Sequence, residues 1–457
     1  MTSPLTLFEV SFEVCNKVGG IHTVVSTKAK ALVERLGDDY VAIGPWLLTG
    51  GHPSNAFEEE PDDAFCERCR AMGIPVRVGR WKIPGRPRTL LVEFSGAYAQ
   101  KDAILRELWD GFQVDSIEGQ WDYVEPVLFG WAAGQVIQAW CEERVAPRGR
   151  RAVAQFHEWM TGAGGLWLQK HDPSVGTIFT THATILGRSI ASTGKAPVDG
   201  LGARTPSEAS RIFGVVAKHS MEVVCAREAD AFTTVSGVTR DEAEVLLGRR
   251  ADPILPNGID LAVVDELAGK TTRDEARAKL VELAGRMVGA DVSDAVLVGT
   301  SGRYEFHNKG LDILLDSAAL ITKRPGKRVV LIALVPAGNS GIRGDLHERS
   351  NRPASEAQGP IGIATHNLFD VEHDPIARRC LELGLANAAG SRVFVIHVPI
   401  YLAEGDGLFG MPYEAVLRAL DLTVFPSFYE PWGYTPQESL AVGVPTITTD
   451  CAGFGRW

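Results

Sequence analysis

Two basic residues, Arg303 and Lys309, lie in one short glycine-containing loop between a predicted strand and a predicted helix. Two cations held at the carboxyl end of a strand suit a diphosphate group whose negative charge grows as it departs. Cations near a helix N-terminus are mildly unfavourable unless an anion accompanies them. The alternative is a pair of solvated surface charges, but the spacing favours an anion site.

An acidic residue, Glu430, lies in an aromatic loop that follows another buried strand. Its aromatic neighbours along the chain are Phe428, Tyr429, Trp432 and Tyr434. A carboxylate among aromatic rings is poorly placed to be only a solvated surface charge. Glu430 is therefore a candidate for chemistry.

The helix after this loop is predicted to begin with a capping box. Thr435 would be the N-cap, Pro436 the first helical residue, and Glu438 the acidic member that closes the box. This interpretation gives Glu438 a structural role. The backbone N–H groups of Gly433, Tyr434 and Thr435 would point towards a ligand beyond the helix start.

Weaker signals lie in the first half of the chain. Lys17 precedes a Gly-Gly turn that ends at Gly20 and leads into a predicted helix, where backbone and ligand could approach closely. A tight turn that binds nothing explains the glycines equally well. His157, His182 and His366 each lie at or just after the end of a predicted strand, and each one alone is better explained as a packing residue.

The composition excludes several classes of protein. The formal net charge of −11 disfavours binding to nucleic acid. No apolar run approaches the roughly 18 residues that span a bilayer, and the N-terminus does not have the pattern of a signal peptide. Seven scattered cysteines indicate a reducing compartment, so we expect a cytoplasmic protein. The motifs of P-loop ATPases, α/β-hydrolases and zinc sites do not occur, and no metal or cofactor is predicted.

Short apolar strands alternate with helical patterns along the whole chain, which predicts an α/β fold with parallel sheets covered by helices on both faces. Helical spacing is clearest over 21–36, 274–288 and 311–319. The predicted strands are Val41–Gly44, Thr89–Phe94, Ala152–His157, Thr177–Thr181, Ala231–Val235, Ala295–Thr300, Val329–Leu334, Val393–Val398, Leu422–Pro426 and Pro445–Thr448.

A Pro-Asn-Gly turn at residues 256–258 marks the predicted domain boundary, which gives domains 1–260 and 261–457. Ligands of open α/β sheets bind beyond the carboxyl ends of the strands. Two such sheets facing each other predict a site in the cleft between the domains. The polar stretch 336–361 is expected to form a long surface excursion.

The chain resembles the glycogen synthases of the animal and fungal type, which form glycosyltransferase family 3 and have the GT-B fold of two Rossmann-like domains. The most specific matches are GRYEFHNKGLD (302–312) and YEPWGYTPQE (429–438). Further matches run in family order from residue 12 to 455, including FEVCNKVGGIHTVV, FHEWMTGAG, TIFTTHATILGR, PNGID and THNLFD.

The resemblance implies retaining transfer of glucose from UDP-glucose to the 4-hydroxyl at the non-reducing end of glycogen or another α-1,4-glucan primer. The first domain would lie on the acceptor side and the second would bind the nucleotide sugar. Because the chain has no Asp-x-Asp pair, departure of the phosphate would rely on cations and helix ends rather than on a metal.

The resemblance also implies roles for individual residues. Glu430 corresponds to the family's proposed catalytic carboxylate, and His182 resembles the histidine beside the transferred glucose. Arg303 and Lys309 would grip the nucleotide phosphates. Lys17 and Gly20 would belong to the loop that closes on the donor, and Tyr413 would stack on the uracil. The backbone of Gly433, Tyr434 and Thr435 would cradle the distal phosphate, and Glu438 would take the ribose hydroxyls. Trp432 is a further predicted substrate-binding residue.

The sequence also departs from the family pattern. The excursion after Val335 is shorter than the family's helical insertion, which leaves the oligomeric state open. The chain stops where relatives continue with further helices, so we expect the second domain to be incomplete at its C-terminal end. Two alternative functions stay open: another GT-B sugar-nucleotide enzyme, such as a disaccharide synthase or an epimerase, or a non-catalytic protein that binds glucan or nucleotide.

Overall fold

The computed structural model describes residues 5–49, 52–269, 271–350, 359–388 and 390–457. The chain divides into two compact units, Met1–Gly258 and Ile259–Trp457.

The first unit is built on an eight-stranded sheet. Its strands, with one separate two-stranded pair (β3 and β4), are β1 (Leu5–Val10), β2 (Tyr40–Pro45), β3 (Leu48–Thr49), β4 (His52–Pro53), β5 (Phe57–Glu59), β6 (Val76–Trp81), β7 (Arg88–Val92), β8 (Arg151–His157), β9 (Val175–Thr181) and β10 (Ala231–Thr234). The strand order across the sheet is β10-β9-β8-β1-β2-β7-β6-β5. The carboxyl ends of β1, β8 and β9 are therefore neighbours at one edge of the sheet.

Ten helices of the first unit are described: α1 (Gly20–Leu36), α2 (Asp63–Ala71), α3 (Lys101–Phe112), α4 (Trp121–Trp140), α5 (Trp159–His171), α6 (Ile185–Ala191), α7 (Pro197–Leu201), α8 (Pro206–Ile212), α9 (Val216–Glu228) and α10 (Gly237–Leu246). Helix α4 is apolar on all sides and is buried along nearly its whole length. It packs closely on α5 because glycines line the contact. A Cβ at Gly164 would lie 2.5 Å from the Gly130 carbonyl oxygen.

The sheet of the first unit is not wholly parallel, in contrast to the prediction. Strand β6 runs antiparallel to β7, and β5 runs antiparallel to β6. Only residues 82–87 join β6 to β7. That connection is too short for the crossover that parallel strands require, so the two strands form a hairpin.

Every predicted strand overlaps an observed one, but the central strand β1 was not predicted. It lies between β2 and β8 and pairs with both in parallel. An acidic residue, Glu9, interrupts its apolar pattern and is nevertheless completely buried. Ionised side chains are almost never fully buried unless they are paired, so the pattern gave no signal for a core strand.

The second unit contains a five-stranded parallel sheet in the order β15-β12-β11-β16-β17. Its strands, including a separate pair β13–β14, are β11 (Val296–Ser301), β12 (Val329–Leu334), β13 (Asn339–Ile342), β14 (His366–Leu368), β15 (Val393–Val398), β16 (Leu422–Phe425) and β17 (Thr446–Thr448). Its helices are α11 (Leu261–Ala268), α12 (Arg273–Val288), α13 (Leu311–Thr322), α14 (Gly344–Ser350), α15 (Pro375–Leu383), α16 (Tyr413–Arg418), α17 (Tyr434–Ala441) and α18 (Gly453–Arg456). The predicted helical patterns correspond to α1, α12 and α13.

The polar stretch 336–361 has more regular structure than a surface excursion. The stretch contains β13, which pairs antiparallel with β14, and it contains α14, which follows β13 in the chain. Residues 351–358 of the stretch lie outside the described residues.

Candidate active site

Two loops of the second unit meet where neighbouring parallel strands end. Strand β11 pairs with β16, so the loops 302–310 and 426–433 leave the same edge of the sheet. The Phe428 N–H donates to the Asn308 carbonyl over 2.9 Å. Gly310 has φ of 66°, and a Cβ there would lie 1.9 Å from the Pro426 carbonyl oxygen. Only glycine fits this contact.

Lys309 and Glu430, one from each loop, form an ion pair. Their side chains are 16% and 17% exposed, so both charges are largely shielded from water. Backbone bonds hold Glu430 in position, because the Gly453 N–H donates to its carbonyl over 2.9 Å. The structure thus joins a cation and an acid that are 121 residues apart in the sequence.

Arg303 is in the same loop as Lys309, but its side chain is 66% exposed and pairs with Glu305 over 2.9 Å. Within the described residues, its side chain forms no ion pair with Glu430 and no contact with Lys309. Arg303 is therefore free to turn towards an anion at low cost, whereas Lys309 is fixed in place.

Helix α17 begins two residues earlier than predicted. Gly433 is its N-cap with φ of 98°, and a glycine has no side chain with which to cap the first turn. The predicted capping box with Thr435 as N-cap is therefore wrong, because the left-handed glycine starts the helix before Thr435 is reached. Pro436 still lies in the first turn, where a missing N–H costs nothing. Glu438 is the fifth residue of α17 and so is not at the third helical position that a capping box uses.

Glu438 instead forms a hydrogen bond with Tyr413, the first residue of α16. The Tyr413 hydroxyl lies 2.6 Å from the Ser301 hydroxyl at the end of β11. Burial and the nearby Glu438 carboxylate raise the pKa of Tyr413 well above its ordinary value. A tyrosine, a carboxylate and a hydroxyl thus meet beside the loop that carries Lys309.

Trp432 is buried, and its indole N–H donates to Gln437 over 3.0 Å. Its ring packs edge-on against Phe454, 5.6 Å between centroids. The side chain fixes the loop between Glu430 and α17. That a ligand touches Trp432 stays a prediction.

In the first unit, Lys17 and Gly20 lie in an exposed turn that starts α1. The anion at this helix start is a side chain of the protein, since Glu13 accepts hydrogen bonds from the N–H groups of Gly19 (2.6 Å) and His22 (3.0 Å). A Cβ at Gly20 would meet only open space. The protein's own packing does not require that glycine.

A polar cavity of about 210 Å³ lies beside this turn. Its lining consists of Cys15, Asn16, Lys17, Pro45, Trp46, Leu47, Ser54 and Leu91. The cavity is therefore at the carboxyl ends of the central strands.

His182 follows β9 and contacts a second histidine that sequence reasoning treated separately. The His157 Nδ1 lies 2.9 Å from the His182 Nε2, and the His157 Nε2 lies 2.8 Å from the Glu9 Oε1. Glu9 also pairs with Lys28 and accepts a 2.5 Å hydrogen bond from the Tyr40 hydroxyl. Glu9, His157 and His182 lie on or just after three neighbouring strands, β1, β8 and β9. Only the strand order could therefore have revealed that they are hydrogen-bonded to one another.

Glu158 supports the backbone of this region. Its carboxylate accepts hydrogen bonds from the N–H groups of His182 (2.9 Å) and Ala183 (3.3 Å). It adopts φ of 65°, an unusual conformation for a residue other than glycine. Burial raises the pKa of Glu158 to about 7.

Among the described residues, no group of three or more His, Cys, Asp or Glu side chains could hold a metal ion. No helix in the described ranges is both long and apolar enough to cross a membrane.

Several solved structures share this fold. The catalytic domain of starch synthase IV from Arabidopsis thaliana, bound to ADP and acarbose, matches 99% of this chain and 84% of its own with a TM-score of 0.53 and 16% identity. A UDP-forming α,α-trehalose-phosphate synthase from Burkholderia vietnamiensis covers 98% and 86% with a TM-score of 0.52 and 13% identity. These similarities confirm the predicted GT-B fold.

Sequence comparison identifies the family. The liver glycogen [starch] synthase of Mus musculus is 30% identical over 99% of this chain and 72% of its own length. The Neurospora crassa glycogen [starch] synthase is 30% identical over 98% and 72%, and isoform 2 of Saccharomyces cerevisiae 28% over 99% and 75%. A family model described as glycogen synthase matches residues 9–343 and 354–457. The chain therefore belongs to the glycogen synthase family of glycosyltransferases.

Proposed function

We propose that this chain transfers glucose from UDP-glucose, with retention of configuration, to the 4-hydroxyl at the non-reducing end of an α-1,4-glucan without a metal ion. The observation that carries the proposal is the shielded Lys309–Glu430 ion pair beside the start of α17. A fixed cation, a fixed carboxylate and a positive helix end are the groups that such a transfer needs.

The second unit would bind the nucleotide. Lys309 contacts the diphosphate, and the exposed Arg303 turns from Glu305 to join it. The backbone N–H groups from Gly433 to Thr435 hold the distal phosphate, because the start of a helix presents N–H groups and a positive dipole end to an anion. These positive groups offset the charge of the departing UDP, which is why we propose a metal-independent reaction.

Tyr413 and Glu438 would recognise the nucleoside. The Tyr413 ring stacks on the uracil, and Glu438 accepts hydrogen bonds from the ribose hydroxyls. Their mutual hydrogen bond orients Glu438 before the nucleotide arrives. Because α17 begins at Tyr434 and not at Thr435, this role does not compete with helix capping.

The first unit would supply the acceptor side. His182 lies beside the transferred glucose, and the turn with Lys17 and Gly20 closes on the donor. Open space at the Gly20 Cβ position supports a close approach of ligand there. The cavity beside Lys17 offers hydroxyl and amide groups suited to glucan hydroxyls.

In the proposed reaction the bond from glucose C1 to the UDP oxygen breaks while C1 bonds to the acceptor O4 on the same face. The acceptor's proton passes to the departing phosphate oxygen, so no separate base is needed. Glu430 stabilises the positive charge that develops on the sugar, and Lys309 stabilises the negative charge on the phosphate. In the reaction, Glu430 and Lys309 would thus each interact with a substrate charge instead of with each other.

We also propose a cytoplasmic location. All seven cysteines are free thiols in the structure, as expected in a reducing compartment.

The test is incorporation of labelled glucose into glycogen from UDP-glucose and from ADP-glucose, each with and without EDTA. We expect transfer from UDP-glucose at the same rate with EDTA, and none without glycogen. Binding of UDP-glucose without any transfer would contradict the enzyme and favour a binding protein. Loss of transfer in EDTA would contradict metal independence.

A further inference from the structure

Buried hydrogen bonds connect Glu9 to His157 and His157 to His182, and the ionised carboxylate at one end determines which atom donates in each bond. We propose that Glu9 is a positioning residue, which acts through His157 to fix the tautomer of His182 so that the neutral imidazole offers its Nδ1 lone pair to a hydroxyl of the bound sugar. The tautomer stands on the structure alone, and the sugar contact rests on the proposed function.

Glu9 can only accept hydrogen bonds. Lys28 and the Tyr40 hydroxyl both donate to its carboxylate, and the side chain is completely buried. Lys28 and His157 hold the pKa of Glu9 at about 2, against the effect of burial. A third partner 2.8 Å away must also donate, so the His157 Nε2 carries a hydrogen.

The position of the hydrogen on His157 determines the position of the hydrogen on His182. It is 1% exposed, and burial lowers its pKa, so the ring carries a single hydrogen. Because that hydrogen is on Nε2, the His157 Nδ1 is an acceptor. The His182 Nε2, 2.9 Å away, must therefore donate to it.

His182 is thereby left with an open acceptor. Burial, together with the charges of Lys28 and Arg188, lowers its pKa well below the ordinary value, so it too is neutral. With its hydrogen on Nε2, the Nδ1 carries a lone pair. Among the described residues the bond to His157 is the one hydrogen bond of the His182 ring to protein, and the Nδ1 is not one of the buried atoms that lack a partner, so it is open to solvent.

A sugar is the ligand chemistry that matches this atom. A neutral, fixed acceptor at the carboxyl edge of the sheet suits a hydroxyl group, which can donate, and gives no attraction to phosphate. A cationic imidazole would attract phosphate and would have no lone pair to accept a hydrogen bond from a hydroxyl. The arrangement therefore separates sugar recognition by His182 from phosphate recognition by lysine and arginine.

The experiment is NMR of the protein labelled with ¹⁵N-histidine, since nitrogen shifts distinguish protonated from unprotonated ring nitrogens. In the wild type we expect both His157 and His182 to carry their hydrogen on Nε2 at neutral pH. In Glu9→Gln the amide can donate to the His157 Nε2, and we expect both rings to change tautomer. Glu222→Gln is the matched control, because Glu222 is equally buried and its raised pKa favours the neutral form that glutamine mimics.

Kinetics complete the test. Glu9→Gln should lower kcat about 10- to 100-fold with little change in KM for UDP-glucose, as loss of an orienting partner does. Glu222→Gln should change neither kcat nor the tautomer of either histidine. A wild-type His182 that is doubly protonated, or protonated on Nδ1, overturns the proposal even if no variant folds. A changed tautomer with unchanged kcat overturns the sugar contact. Wild-type protein that transfers no glucose contradicts the proposed function and leaves the NMR result to judge the tautomer.

Discussion

Lys309 and Arg303 are both cations, but their surroundings differ, so we expect them to contribute different free energies to anion binding. Lys309 is mostly shielded and fixed by Glu430, whereas Arg303 is two-thirds exposed beside Glu305. A charge-assisted contact shielded from water is worth about 1.5–3 kcal/mol, and an exposed one less than about 1 kcal/mol.

We therefore predict that Lys309→Ala weakens UDP binding about 10- to 100-fold and Arg303→Ala about fivefold or less. Titration calorimetry with UDP measures both. The exposed Arg324, changed to alanine in the same unit, is the control and should bind UDP normally. Equal losses at Lys309 and Arg303 would mean that burial does not rank the two cations.

Glu438 is predicted to recognise the ribose and not to cap its helix. Glu438→Gln should weaken UDP binding about tenfold, as expected when hydrogen bonds to a charged acceptor are lost. Binding of 2′,3′-dideoxy-UDP should be the same in variant and wild type, because that nucleotide has no ribose hydroxyls. An equal loss for both nucleotides would contradict the ribose contact.

At the scale of elements, the site depends on the contact between the loops 302–310 and 426–433. Gly310 makes that contact possible, since a Cβ would lie 1.9 Å from a backbone oxygen. Gly384 also has a left-handed backbone, with φ of 70°, but a Cβ there would meet nothing within 4 Å. Comparing alanine substitutions at Gly310 and Gly384 therefore distinguishes the cost of backbone strain from the cost of a steric clash.

Gly310→Ala should lower the free energy of unfolding by about 2–5 kcal/mol, the sum of left-handed strain and overpacking. Gly384→Ala should lower it by about 1–2 kcal/mol, the strain alone. Urea unfolding followed by tryptophan fluorescence measures both. If the two variants lose the same stability, the loops are not in the tight contact described.

The sequence predicted these elements better than it predicted their ends. Apolar strands were recognisable because parallel strands are buried on both faces, and they located Arg303, Lys309 and Glu430 at strand ends. The start of α17 was misjudged by two residues, since only the backbone conformation of Gly433 reveals it. Strand β1 was missed because Glu9 looks like a surface residue until its partners Lys28, Tyr40 and His157 are known.

At the scale of the whole molecule, buried carboxylates make folding depend on pH. Glu158 has its folded pKa raised to about 7 by burial, above the ordinary value of 4.5. The folded state therefore holds this proton more tightly than the unfolded state. Its stabilising effect is complete below about pH 4.5 and is lost as the pH rises through 7.

We predict that Glu158→Gln makes the fall in unfolding free energy between pH 5 and pH 8 smaller than in the wild type. Urea unfolding at several pH values measures it. The exposed Glu118, changed to glutamine in the same unit, should follow the wild-type curve. A Glu158→Gln curve parallel to the wild type would show that Glu158 is ionised throughout.

The central claim is that Glu430 serves the transfer step and not the binding of nucleotide. The direct measurement is glucose incorporation into glycogen from UDP-glucose by Glu430→Gln, together with UDP affinity by calorimetry. The exposed Glu404→Gln variant is the control with the same chemical change. We predict that Glu430→Gln loses transfer at least 100-fold, the order of magnitude of losing one electrostatic stabiliser, while it still binds UDP. Transfer at the wild-type rate by Glu430→Gln would contradict the account.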